Sequence, residues 1–178
     1  VIGAELSSED FVKELITCST HDQLLLFTER GRLFWLKAYK VPETQRYGKG
    51  QAIVNLLNIK DDKVTNVMAL KEFSEYLFMV TKNGQVKKIR LDLFAKPRTS
   101  GVRIITLPAD NSDSVVDVKK VRDVQEIMLM TKKGQAIRFN SHEVRTMGRA
   151  SYGVMGIRLG AGDRVVSMEI VDNKAVSI

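Results

Sequence analysis

The chain has 178 residues, 44% of them hydrophobic, with one cysteine, two histidines and a formal net charge of +7. That length allows one domain with a buried core, and the lone cysteine excludes an intrachain disulfide framework and fits a reducing compartment. One Cys and two His also fall short of a four-ligand zinc site.

Residues 1–11 are acidic without period-2 alternation and read as an entry linker. From Val12 a short β-branched strand begins, and its marker returns at Val64, Val115 and Val165, spaced 52, 51 and 50 residues apart. Cys18 is expected as a buried strand residue. Next comes a β-hairpin sentence, Leu-Leu-Leu-Phe-Thr-Glu-Arg-Gly-Arg-Leu-Phe-Trp-Leu-Lys, running from Leu24 to Lys37. It is written again from Leu77 to Arg90 and from Ile127 to Phe139, with turn glycines Gly31, Gly84 and Gly134 spaced 53 and 50 residues apart. Glycine suits such a turn because it reaches positive φ without steric cost.

Each hairpin is followed by a polar or proline-broken segment closing on Gly50, Gly101 or Gly153, then by a further apolar strand beginning at Ala52, Val102 or Val154. Acidic turns (Asp61-Asp62, Asp110 to Asp113, Gly160 to Asp163) lead to the next valine strand. Four short strands per period of about 51, without helical periodicity, predict an all-β, propeller-like fold of four-stranded blades. Counted from the valine strand, the repeats run approximately 12–63, 64–114 and 115–164, with 165–178 incomplete. The half-repeat, and a first residue other than methionine, lead us to expect a piece of a longer chain. No signal peptide or apolar run of about 18 residues is present, so no membrane partner is expected.

Chemistry-bearing motifs are sparse. No GxxxxGK[ST] phosphate loop occurs. His21-Asp22 beside Ser19 and Thr20 are sequence neighbours, which a strand would point to opposite faces, so loop or capping roles are expected for His21 and His142. Asp61-Asp62 reads as a solvated turn. No catalytic residue, metal site or cofactor is assigned.

Positive charge, by contrast, is segregated. Residues 28–50, 81–103 and 131–158 carry six, seven and six Lys/Arg against two, one and one acids. The intervening 51–80 and 104–130 invert the balance, with three basic to four acidic and three to five. Repeats arranged radially would turn that pattern into a basic band, suited to sequence-independent phosphate contact. The candidate DNA-binding residues are Arg30, Arg32, Lys37, Arg46 and Lys49 in the first repeat. In the second they are Lys82, Lys87, Lys88, Arg90, Lys96, Arg98 and Arg103, and in the third Lys132, Lys133, Arg138, Arg145 and Arg149. A propeller used for protein–protein docking, with purely solubilising charge, is the alternative.

Several long phrases stand in the order of a known family. From Ser19 to Glu43 the chain reads Ser-Thr-His-Asp-Gln-Leu-Leu-Leu-Phe-Thr-Glu-Arg-Gly-Arg-Leu-Phe-Trp-Leu-Lys-Ala-Tyr-Lys-Val-Pro-Glu, followed by Ile-Val-Asn-Leu-Leu at 53–57. Later come Thr-Met-Gly-Arg at 146–149 and Gly-Val-Met-Gly-Ile-Arg-Leu-Gly-Ala-Gly-Asp at 153–163. Over residues 9–178 this resembles the C-terminal domain of bacterial DNA gyrase A, a type IIA topoisomerase component. The resemblance implies a β-pinwheel whose blades exchange strands, with double-stranded DNA wrapped at positive hand around a basic rim. It implies partnership with the rest of gyrase A and with gyrase B in ATP-dependent negative supercoiling, in the cytoplasm at the nucleoid. The breaking tyrosine, ATP and Mg2+ would then act elsewhere, leaving Tyr39, Tyr47, Tyr76 and Tyr152 to packing or loop contacts.

One departure is informative. The family's first blade carries a basic box, Gln-Arg-Arg-Gly-Gly-Lys-Gly, and the segment from Gln45 to Gly50 (Gln-Arg-Tyr-Gly-Lys-Gly) is one residue shorter and follows the Val-Pro-Glu phrase of a second blade. It is taken as the blade-two equivalent, which keeps the paralogous topoisomerase IV domain as a further alternative.

Overall fold

Four consecutive apolar residues and a threonine open each hairpin, and the computed structural model shows the first two of these strands covered on both faces, while the third alternates buried and half-buried residues. It describes residues 15–44, 50–57, 59, 61–98 and 100–171. The first hairpin joins β1 (Gln23–Thr28) to β2 (Arg32–Lys37). A single helical turn, α1 (Ile53–Leu57), precedes β3 (Val64–Leu70). The second hairpin is β4 (Tyr76–Thr81) with β5 (Gln85–Arg90), followed by β6 (Val102–Arg103) and β7 (Val115–Val121). The third is β8 (Glu126–Thr131) with β9 (Ala136–Asn140), then β10 (Val154–Met155) and β11 (Val165–Val171).

The sheets are assembled by exchange. Their strand orders are β3-β1-β2-β6, β10-β5-β4-β7 and β11-β8-β9, all pairs antiparallel. Each hairpin therefore takes one edge from the next valine strand, and the first two take the other edge from a strand lying beyond the following hairpin. The units begin on the hairpin and not on the valine strand, so repeat bounds of 12–63, 64–114 and 115–164 cut across sheets. Of the first valine marker, residues 12–14 lie outside the described residues, and Leu15–Thr17 are not strand.

Packing follows from period-2 alternation on doubly covered strands. Leu25 and Phe27 of β1 meet Leu77, Met79 and Ile89 of the second sheet, while Phe78, Val80 and Val86 turn the other way onto Ile127, Leu129, Val165 and Met168 of the third. The remaining face of β1–β2, with Leu24, Leu26, Phe34 and Leu36, packs on Ile53, Leu56 and Leu57. Here the expected strand at 52–57 is corrected to helix. Its counterparts β6 and β10 pair with the hairpin of the preceding unit, and among the described residues no hairpin precedes β1 to receive it. Ile-Val-Asn-Leu-Leu coils instead and covers the open apolar face. Cys18 is likewise corrected: it is exposed and lies outside any strand.

The valine strands line one side of the array. β3 meets β7 through the Asn66 amide, which donates to Asp117 Oδ1 at 2.9 Å and accepts from the Val118 N–H at 3.2 Å. Lys119 of β7 reaches Glu169 of β11 at 2.6 Å. The exchanged strands β6 and β10 form the opposite edge, with the basic segments 95–101 and 145–153 leading into them.

Candidate nucleic-acid interface

The hairpin turns are built alike from three sequence signals. The turn glycines Gly31, Gly84 and Gly134 have φ of 71°, 84° and 82°. Buried Thr28, Thr81 and Thr131 each accept, through Oγ1, the N–H four residues on, at 3.1, 3.2 and 3.1 Å. An aspartate from the acidic turn then clamps the loop. Asp62 Oδ1 accepts from the Arg30 N–H at 3.1 Å, Asp113 Oδ1 from Asn83 at 2.9 Å and Asp163 Oδ1 from Lys133 at 3.0 Å. The acidic turns are thus braces for the basic turns, which corrects the reading of Asp62 as merely solvated; Asp61 is exposed, with φ of 53°. Burial acts upward on the Asp163 carboxyl, but hydrogen bonds from Thr131, Arg164 and Lys133 outweigh it and hold the group below its usual 3.8.

At the first of these turns three arginines converge. Arg32 of β2 lies opposite Arg103 of β6, and with Arg30 they line a cleft of about 430 Å³. The Arg32 guanidinium sits 5.1 Å from the Phe34 ring centroid, and its Nη2 donates to the Ser100 carbonyl at 2.6 Å. Ring stacking and that bond fix the planar fork. No ion pair joins any of the three to a carboxylate among the described residues. Like charges gathered without an ion pair among the described residues fit an anion with several oxygens. The second sheet has Asn83, Gln85 and Met155 at the corresponding places, with Met155 opposite Gln85, so this cleft is particular to the first sheet.

The other candidates divide by exposure. Lys37, Lys96, Arg98, Lys132, Lys133, Arg138 and Arg145 are exposed, and Lys82 and Arg149 half-buried. Arg90 is exposed but ion-paired with Asp92, and Arg138 approaches Glu126 at 3.6 Å. Arg46 and Lys49 lie outside the described residues.

Lys87 and Lys88 are corrections. Lys87 is fully buried, and its Nζ donates to the carbonyls of Ile104, Arg149 and Ser151 at 2.7, 2.9 and 2.9 Å. Burial lowers its ammonium from 10.5 to about 8. Lys88, also buried, pairs with Asp123 at 3.1 Å and stands 5.1 Å from the Tyr76 ring centroid. Neither side chain is free to meet a phosphate, because β5 is covered on both faces and along its β10 edge.

His21 and His142 occupy exposed turns, the latter beside an Asn140 cap whose Oδ1 lies 2.8 Å from Nδ1. Tyr76 packs against the core between the second and third sheets, Tyr39 and Tyr152 are exposed, and Tyr47 lies outside the described residues. The convergence of Arg103 on Arg30 and Arg32 was missed from sequence. It depends on β6 crossing to the earlier hairpin, and the local signal was Gly101 two residues before Arg103, where a Cβ would meet the Phe34 ring at 2.6 Å.

Known proteins share this fold. DNA gyrase A of Salmonella typhimurium is 38% identical over 171 residues, covering 94% of this chain and 19% of that protein. The chain thus spans about a fifth of the length of the curated relatives it matches. A crystal structure of the C-terminal domain of DNA topoisomerase IV superposes with a TM-score of 0.78 at 33% identity, covering 87% of this chain and 49% of that one. The DNA gyrase A C-terminal domain superposes with a TM-score of 0.71 at 26% identity, covering 95% and 56%. The family model described as DNA gyrase C-terminal domain, beta-propeller, matches residues 22–71, 75–122 and 125–172, beginning on each hairpin as the sheets do. The chain belongs to the DNA gyrase C-terminal domain, beta-propeller family.

Proposed function

We propose that this chain binds double-stranded DNA without reading sequence, wrapping it along the exchanged-strand edge in support of ATP-dependent supercoiling by a gyrase holoenzyme. The observation that carries the reading is the cleft of Arg30, Arg32 and Arg103, three guanidinium groups at the edge of the first sheet that form no ion pair among the described residues. Exposed Lys96, Arg98, Lys132, Lys133, Arg138 and Arg145 continue the charge on the same segments of the later units. Phosphates along a duplex are repetitive, so contacts dispersed in this way add without specifying bases. The rest of gyrase A and the whole of gyrase B are the expected partners. The likeness to the topoisomerase IV domain supports the same DNA-binding role in that enzyme as a second reading.

Titration of a fluorescent duplex at several salt concentrations tests the proposal. Each neutralised phosphate contributes about −0.9 to the slope of log K against log salt. Arg103→Ala should lower the slope by roughly one unit for duplexes of any sequence. Binding independent of salt, or an Arg103→Ala effect confined to one sequence, would refute it.

A further inference from the structure

Lys87 lies in a strand, fully buried, and has no carboxylate partner among the described residues. An ammonium carries three N–H donors and no acceptor, and here each meets a carbonyl. One carbonyl, of Ile104, follows β6 in the first sheet, and the other two, of Arg149 and Ser151, belong to the loop entering β10 in the second. The same junction is sewn by Thr106, whose hydroxyl donates to the Ala150 carbonyl at 2.9 Å and whose N–H donates to Ser151 at 3.2 Å. Arg149, whose own carbonyl is gripped, is among the candidate phosphate contacts.

The corresponding hairpin positions hold Phe34 and Ile137. Phe34 seats the equivalent loop of the first sheet by an apolar contact, its ring lying beneath Gly101. Ile137 is exposed and seats nothing among the described residues. Among the described residues the second hairpin alone uses a charge for this purpose. Since a buried unpaired ammonium is costly, its three-carbonyl geometry calls for a role that an apolar side chain of similar length would not fill.

We propose that Lys87 is a positioning residue for DNA binding: its ammonium fixes the 149–151 backbone against the neighbouring sheet and so sets where Arg149 presents its guanidinium. The role rests on the DNA-binding reading given above. Lys87 touches no phosphate itself.

The test is a double-mutant cycle on the full chain with a fluorescent duplex, well below each variant's melting temperature. Lys87→Met keeps the unbranched stem and removes the ammonium. Affinity should fall about two- to fivefold, the range of one exposed ion contact, with a smaller salt slope. Arg149→Ala should do the same, and the double variant should be no weaker than Arg149→Ala alone. Thr106→Val, which loosens the loop from the other side without burying a charge, should reproduce the loss and keeps the test available if Lys87→Met does not fold. Folded Lys87→Met with unchanged affinity and slope, or losses that add across the cycle, would overturn the proposal and leave Lys87 a fold-stabilising residue. If the wild-type chain itself showed no salt-dependent DNA binding, the underlying reading would fall instead.

Discussion

Gly84 and Gly134 share a backbone conformation and differ in what lies beyond it, which makes them a matched pair for measuring the strand exchange. Both have positive φ, 84° and 82°. A Cβ on Gly84 would stand 2.7 Å from the Ile157 carbonyl oxygen and 3.0 Å from Ile157 Cγ2, whereas nothing lies within 4 Å of one on Gly134. Ile157 follows the exchanged strand β10, and the Gly84 carbonyl accepts from the Gly156 and Ile157 N–H groups at 2.9 and 3.2 Å. Alanine at either position bears the left-handed penalty of about 1–2 kcal/mol. At Gly84 the backbone must also give way, which adds about 1–3 kcal/mol as overpacking does. Gly134→Ala should therefore cost about 1–2 kcal/mol and Gly84→Ala about 2–5 kcal/mol in urea unfolding. For a chain of this size the excess lowers the melting temperature by at least about 2–4 °C more for Gly84→Ala. Equal losses at the two sites would refute the claim that the exchanged strand seats on the turn.

Three further outcomes are expected. Asp113→Ala strips the acceptor from the Asn83 and Ser114 N–H groups, each at 2.9 Å, and should cost about 2–4 kcal/mol in urea unfolding, while exposed Glu72→Ala should stay within about 0.5 kcal/mol. Lys87 titrates near 8 when folded against 10.5 ordinarily. Between those values the unfolded chain holds a proton that the folded chain has released, so the stability of the wild type relative to Lys87→Met should rise with pH over that window; a pH-independent difference in paired urea melts would count against it. The outer edge of β9 has no partner strand among the described residues, and Ile137 is exposed there. Ile137→Lys should reduce self-association in sedimentation velocity if that edge recruits strands from other copies.

The hairpins and the valine strands from Val64, Val115 and Val165 were legible because their signals are local. Thr28, Gly31 and the apolar run before them sit within one turn of chain, and the same words recur in the later units at nearly constant spacing. The phase of the repeat was not legible. Periodicity fixes the length of a unit and says nothing about where a sheet begins, and β6 and β10 reach back past an intervening hairpin to complete theirs. The segment at 53–57 failed for a related reason. It occupies the place that β6 and β10 hold in the later units, but strand formation needs a neighbouring strand to supply hydrogen bonds. Where none is present among the described residues, its apolar side chains found burial as a helical turn against Leu24, Leu26, Phe34 and Leu36.

Positive charge was legible in the sequence as a distribution, but its exposure was illegible residue by residue. The run Lys87-Lys88-Ile89-Arg90 reads as a cationic strand end, yet only Arg90 reaches solvent, and it is met there by Asp92. In a strand with one open face, alternation would have placed Lys87 and Lys88 on opposite sides and exposed one of them. Because β5 is enclosed on both faces and its β10 edge is occupied, alternation has no exposed side to offer. Each ammonium must then find partners inside: three carbonyls for Lys87, a carboxylate and a ring for Lys88. The reverse holds at the cleft, where Arg30 and Arg103 look unremarkable in sequence and acquire meaning only when β6 is laid beside β2. Charge available to a polyanion is therefore decided by which strand an exchanged partner covers. Counting Lys and Arg per repeat overstates it where β5 is sealed and understates it where β6 brings a third arginine to the first turn.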